Sequence, residues 1–131
     1  MNLFGLHLCA ADSYELIEGV AAFTAEDASG SFGLKARHER FMTSLGFGLA
    51  RLTLADGSRQ YLGLPGGLLF FARNELRIST RRYLRGSDAA AIAAALTREL
   101  LEEEQALQQT RRKLQRLEAE MHRHVAQLAL E

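Results

Sequence analysis

The sequence has one cysteine, one proline and no tryptophan, and its charges cancel. A single Cys9 excludes an internal disulfide, so a reducing cytoplasm is the expected compartment. Sixteen basic residues against sixteen acidic ones give a formal charge of zero, which offers no general attraction to nucleic acid. The apolar run at residues 66–72 falls far short of the ~20 residues that a transmembrane helix needs. The N-terminus carries neither the charge pattern nor the cleavage site of a signal peptide, so a cytosolic chain is expected, reaching a membrane only through a partner. Glycine and proline are also missing from residues 87–131, because all 11 glycines and Pro65 lie at or before Gly86. That absence divides the chain into a β-rich segment, residues 1–86, and a segment rich in helix formers, residues 87–131. At 131 residues the chain can bury one core and carry an appendage.

The first segment alternates like a sheet protein. In FGLARLTL, residues 47–54, Gly48, Ala50, Leu52 and Leu54 share one face, while Phe47, Leu49, Arg51 and Thr53 take the other. ADGS follows, and Asp56-Gly57 predicts a tight hairpin because glycine adopts positive φ without steric cost. RQYLGLP reads as the return strand and GGLLFFA as a buried strand. RNE reads as a second tight turn, and ELRISTR as a strand with Leu76 and Ile78 inward. LFGLHLCA and YELIEGVAAFTA are two more strand candidates. Short strands with frequent turns predict an antiparallel β-sandwich or flattened barrel.

The second segment opens on Gly86-Ser87-Asp88, where Ser87 or Asp88 can cap a helix. Ile92, Leu96, Leu100 and Leu107 form an apolar stripe. Leu107, Leu114, Met121 and Leu128 then recur every seven residues, with Leu117 and Val125 widening the seam. Both a long helix and a helical hairpin fit this pattern. The weakest helical stretch is Gln108-Gln109-Thr110, between the acidic block 102–104 and the basic block 111–113. A break there would set acids at a helix C-terminus and bases at an N-terminus, against both dipoles, yet it would bring the two blocks side by side. A lone helix with an apolar seam needs something to pack on, so the sequence favours the hairpin.

GSFGLKARH, residues 30–38, could be read as a phosphate cradle, but no helix pattern follows Gly33 and the spacing is not that of a Walker loop. A turn-and-strand element with Phe32 plugging the core is the better reading. His38-Glu39 could form a base and its orienter, and His7 and Cys9 share a strand face, but neither pair has a third partner at recognisable spacing. His122 and His124 point to different helix faces. No catalytic residue, metal site or cofactor site is therefore expected.

AEDASGSFGLKARHERFMTSL (residues 25–45), a following Gly46, then Asp56-Gly57, Tyr61 and Gly66-Gly67 with two apolar residues occur in an order that resembles the epsilon subunit of rotary F-type ATP synthases. ISTRRYLRGSD, residues 78–88, is further similar to the alternate, N-ATPase-like branch, in which a separately encoded complex pumps sodium or protons. The resemblance implies a non-catalytic rotor subunit acting in ATP synthesis or hydrolysis and ion transport. It implies a sandwich foot against the gamma subunit and the ring of c subunits, and helices that dock on the foot or rise to regulate hydrolysis. Its place would be the cytoplasmic face of the bacterial inner membrane, as a peripheral component. Ser31, Phe32, Arg37, His38, Glu39 and Arg40 become the candidate contact with gamma or the c-ring. The catalytic alpha and beta subunits would be further partners, and Arg111, Arg112, Lys113 and Arg116, by default a solvated face, become candidate contacts with acidic loops of the beta subunits.

Three departures from the family pattern stand out. Ala36-Arg37 replace the usual Pro-Gly before the histidine and Glu39-Arg40 follow it, which makes that loop more charged and less rigid. Ala91 stands where many members carry an ATP-gripping arginine, and Pro65 where a small polar residue is common. The competing reading is a free-standing β-domain adaptor or small-ligand module dimerising through a coiled-coil tail.

Overall fold

The structure, a computed structural model, describes residues 2–130; Met1 and Glu131, the ends of the two segments read from the sequence, lie outside the described residues. In chain order the elements are β1 (Phe4–Cys9), β2 (Tyr14–Asp27), β3 (Gly30–Lys35), β4 (Phe41–Leu45), β5 (Gly48–Leu54), β6 (Arg59–Leu64), β7 (Gly67–Ala72), β8 (Glu75–Ser79), β9 (Leu84–Gly86) and α1 (Ala89–Leu130). They form two compact units, the first ending at Leu96 and the second beginning at Thr97.

In the first unit the strands hydrogen-bond in the order β1-β8-β7-β4-β2-β5-β6-β9, with β3 added to β2 and β1 also paired to β2. All pairings are antiparallel except β1 with β8. The 14-residue β2 makes the fold possible. Its early residues pair with β1 and its later ones with β3 and β5, and the register shifts in both the β1 and β5 ladders around Gly19, whose φ is +73°. A bulge of this kind bends a strand, so one hydrogen-bonded sheet folds into two packed layers. Between the layers lies a core in which Phe23, Phe71, Leu52, Leu62 and Leu69 are wholly enclosed. Leu76 and Ile78 are buried as well, as the alternation in ELRISTR predicts.

The β5–β6 hairpin closes at the predicted place. Gly57 has φ +85°, its N–H donates to Leu54 O at 2.9 Å, and Leu54 N–H donates to Ser58 O at 2.8 Å.

Asp88, rather than Ser87, caps α1: its Oδ1 accepts the N–H of Ala90 at 3.1 Å and of Ala91 at 3.3 Å. The first two turns of the helix belong to the sandwich unit. Ile92 and Leu96 are buried there, and a Cβ added at Gly63 would lie 2.8 Å from Ile92 Cγ2. The missing side chain lets the helix approach β6 closely.

In the second unit α1 runs unbroken through residues 108–110, so the hairpin favoured from the sequence does not form. Glutamine is a good helix former, and Thr110 satisfies its hydroxyl on Ala106 O, four residues back, at 3.0 Å. Continuity also keeps residues 102–104 and 111–113 away from helix ends, where the dipole would oppose them. Leu107, Leu114, Leu117, Met121, Val125 and Leu128 are all exposed on this unit.

Candidate interface site

Residues 36–40 join β3 to β4 and carry four of the six sandwich residues singled out from the sequence. Arg37, His38, Glu39 and Arg40 are exposed, as is Ser31 on the edge strand β3. Phe32 is partly buried and packs at the margin of the core, its ring 5.3 Å from that of Phe41. The loop is fixed at three points. Arg37 adopts φ +65°, a conformation that costs a non-glycine residue about 1–2 kcal/mol. Its N–H donates to Asn74 Oδ1 at 2.8 Å, and His38 N–H donates to Lys35 O at 3.1 Å. The His38 ring stands edge-on to Phe41 and Phe71, with centroids 5.8 and 5.9 Å away.

This geometry answers the base-and-orienter reading of His38-Glu39. His38 Nδ1 is bonded to the backbone O of Glu39 at 2.7 Å, not to its carboxylate. The ring is a peg on the aromatic core, and the loop is ordered despite having lost the proline and glycine expected of it.

The structure adds a surface that strand-by-strand reading misses. Met42, Phe70, Arg77, His7 and Leu16 are successive cross-strand partners on β4, β7, β8, β1 and β2. Ser44, Leu68, Ser79, Cys9 and Tyr14 form the adjoining row. Directly paired residues project to the same side of a sheet, so the two rows make one outward face. Met42 is 69% exposed, Tyr14 60% and Leu68 59%, so large apolar side chains stand open on this face of the sheet. Arg40 lies over the Phe70 ring at 5.3 Å, which joins the charged loop to this face. The sequence signal was there in the apolar residues on the outward positions of β4 and β7, but only the register shows that they align.

His7 and Cys9 do share that face, as predicted. His7 Nδ1 pairs with the Tyr14 hydroxyl and Nε2 lies 3.6 Å from Glu75 Oε2, while Cys9 is partly exposed. Among the described residues no group of three or more His, Cys, Asp or Glu is placed to hold a metal ion. Nor does the start of α1 fit a nucleotide: the Asp88 carboxylate is taken up in capping, and Ala91 offers only a methyl group. Arg111, Arg112, Lys113 and Arg116 are all exposed on the second unit.

At the far ends of β3 and β4 from the 36–40 loop, Asp27 clips the β2–β3 turn to β4. Its Oδ1 accepts from Ser29 N–H at 2.8 Å and its Oδ2 from the Thr43 hydroxyl at 2.6 Å. The Ser29 side-chain bond, then that of Thr43, holds the carboxyl below its ordinary value. A carboxyl depressed in the folded state binds fewer protons there than in the unfolded chain. Its contribution is therefore complete above about pH 4 and is lost as pH falls through the folded value. Asp27→Asn should leave the acid limb of a pH–stability curve shallower below pH 4 than in the parent, measured by chemical unfolding at a series of pH values.

The family described as ATP synthase, Delta/Epsilon chain, beta-sandwich domain matches residues 5–86, which takes in all but the first residue of β1 and the whole of β2 to β9. The ATP synthase epsilon chain 2 of Cereibacter sphaeroides is 33% identical over 103 residues, covering 78% of this chain and 70% of its own length. The ATP synthase epsilon chain of Delftia acidovorans is 30% identical over 132 residues, covering 98% of this chain and 94% of its own. Among solved structures, a chain of the Euglena gracilis mitochondrial ATP synthase superposes with a TM-score of 0.61 at 23% identity over 81% of this chain. A chain of the Tetrahymena thermophila mitochondrial ATP synthase central stalk and c-ring gives 0.54 at 14% identity over 62%. These two share the fold, and the present chain spans 66% and 65% of their respective lengths.

Proposed function

The chain belongs to the ATP synthase delta/epsilon family, and from that premise we propose how its parts are used. It is a non-catalytic central-stalk subunit of an F-type ATP synthase. The observation that carries this is the epsilon chain aligned with 98% of its length, helix included. As a component of F1 it belongs to a peripheral membrane complex. No helix among the described residues is long and apolar enough to cross a bilayer. We place it on the cytoplasmic face of a bacterial inner membrane, within the N-ATPase-like branch, on the strength of residues 78–88.

The mechanism is mechanical. A two-layer sandwich with an enclosed Leu- and Phe-rich core resists shear, so it passes torque between the gamma subunit and the c-ring instead of deforming. The apolar rows through Met42 and Leu68 pack on gamma, and the charged loop at Arg37, His38, Glu39 and Arg40, with Ser31 and Phe32 beside it, meets gamma or the polar loops of the c subunits. Affinity capture of the tagged chain from its own cells, followed by native mass spectrometry, should recover gamma, alpha and beta subunits. Recovery alone, or as a homodimer, would overturn this reading and favour a dimerising adaptor.

Arg111, Arg112, Lys113 and Arg116 dock on acidic loops of the catalytic beta subunits and restrain hydrolysis. Replacing all four by glutamine should raise ATP hydrolysis by the assembled complex. The rise should be larger at low ionic strength, since the Debye length shrinks from about 30 Å at 0.01 M salt to about 8 Å at 0.15 M. An unchanged rate removes these residues from the mechanism.

A further inference from the structure

The tight turn between β7 and β8 consists of two residues, and both are left-handed: Arg73 has φ +53° and Asn74 φ +62°. Two such residues make the turn that matches strand twist, and asparagine is among the few side chains that tolerate the conformation. Asn74 does more than turn the chain. Its Oδ1 accepts the N–H of Arg37 at 2.8 Å, and its Nδ2 donates to Leu3 O at 2.9 Å. One side-chain amide thus ties three segments that lie far apart in sequence: the chain entering β1, the interface loop, and the β7–β8 turn.

The bond to Arg37 falls where the loop is least able to hold itself. Arg37 is the one left-handed non-glycine residue among the described residues outside the Arg73-Asn74 turn. The chain has an arginine there and not a glycine, so an outside contact has to keep the backbone in place. The amide of Arg37 is the donor that Asn74 receives, and the next residue, His38, sets its exposed ring edge-on against Phe41 and Phe71.

We propose that Asn74 is the positioning residue of the interface loop: by accepting the Arg37 N–H it holds that residue left-handed and so sets the His38 ring against Phe41 and Phe71 and presents Arg37, Glu39 and Arg40 to the outside. Asparagine suits the role because one end of its amide accepts from the loop while the other donates to the strand entry. An aspartate keeps the acceptor alone, and a glycine keeps only the freedom of φ.

The test is a double-mutant cycle on the full chain, combining Asn74→Gly with Arg37→Gly. Glycine at position 37 adopts positive φ unaided, so it makes the outside contact unnecessary. Amide exchange is read first, because it needs no partner. Asn74→Gly should speed exchange at Arg37 and His38 about tenfold, the usual worth of one hydrogen bond, while the amides of β5 and β6 are unmoved. In the Arg37→Gly background the same substitution should speed exchange at His38 by less than about twofold. Asn74→Asp should keep Arg37 protected, and it serves if the glycine variant does not fold. Equal effects in both backgrounds, or an Arg37 amide left exposed by Asn74→Asp, would overturn the proposal.

Binding of each variant to the complex stripped of this chain is read second, since the value of the loop rests on the function proposed above. Affinity should follow the same cycle, with the loss on Asn74→Gly largely absent in the Arg37→Gly background. If exchange follows the cycle and affinity does not, Asn74 still sets the loop and the interface reading of the loop fails. If affinity falls without a change in exchange, the positioning role fails and the interface reading stands.

Discussion

Phe71→Ala should lower the stability of the sandwich by about 3–5 kcal/mol, the usual loss when an enclosed phenylalanine is cut back to a methyl group. Phe71 is fully buried on β7 and stands edge-to-face with Phe4, centroids 5.4 Å apart, and with His38, centroids 5.9 Å apart. Deleting the ring opens a cavity between β1, β7 and the β3–β4 loop, and the flanking strands are hydrogen-bonded too firmly to close it. A domain of this size is stable by about 5–15 kcal/mol, so the loss is a large share of the whole. Urea unfolding followed by circular dichroism would measure it. Phe71→Met, which conserves most of the volume, should cost less than about 1.5 kcal/mol. A loss below 1 kcal/mol for the alanine variant would mean that the site collapses around the gap. The same variant should free the His38 ring from one of its two neighbours, so that stability and loop order fall together.

Gly63→Val should release the first two turns of α1 while leaving the strands in place. A Cβ at position 63 would meet Ile92 Cγ2 at 2.8 Å, closer than carbon atoms approach, and Leu96 Cδ2 at 3.5 Å. Ile92 is branched at Cβ and has no long flexible end to swing aside. The two side chains this contact buries are each worth about 1.5–3 kcal/mol. Displacing them therefore removes most of what holds residues 89–96 down. Amide exchange at residues 92–96 should approach that of an unsupported helix end, with the amides of β6 protected as before. Pairing Gly63→Ala with Ile92→Ala restores the room and should recover much of the protection. Unchanged exchange in the valine variant would show that the helix shifts along the sheet at little cost.

Local chemistry was legible wherever one residue sets one angle or one period sets one face. Asp56-Gly57 marked its hairpin, the alternation in ELRISTR gave the buried Leu76 and Ile78, and the absence of glycine and proline after Gly86 marked the helical part. What escaped notice depends on registers between distant strands. The outward rows through Met42 and Leu68 exist only because β4, β7, β8, β1 and β2 stack in one register. β9 has three residues and no period of its own, and it forms because Leu84 and Gly86 find partners on β6. The left-handed Arg37 could not be read from its neighbours, since the group that holds it is 37 positions away. The helix defied the expected hairpin because a seam without a partner in its own chain does not break a helix. Only a residue that disrupts the backbone does, and residues 89–130 contain none.

The neighbours of β1 set an order of events as the chain is made. Its residues pair with β2, which follows at once, and in parallel with β8, from Gly5 opposite Glu75 to Cys9 opposite Ser79. The Asn74–Leu3 tie spans 71 positions. Contacts so distant are slow to form, because the chain between them loses its freedom before any bonding is gained. β1 is therefore among the last strands to be enclosed, although β2 and β8 are both made after it. A chain interrupted before Ser79 would leave one edge of β1 open, with Leu6 and Leu8 beside it, ready to pair with another unfinished copy. Everything needed to cover that edge is present once β8 is complete, and nothing in the helix is required for it.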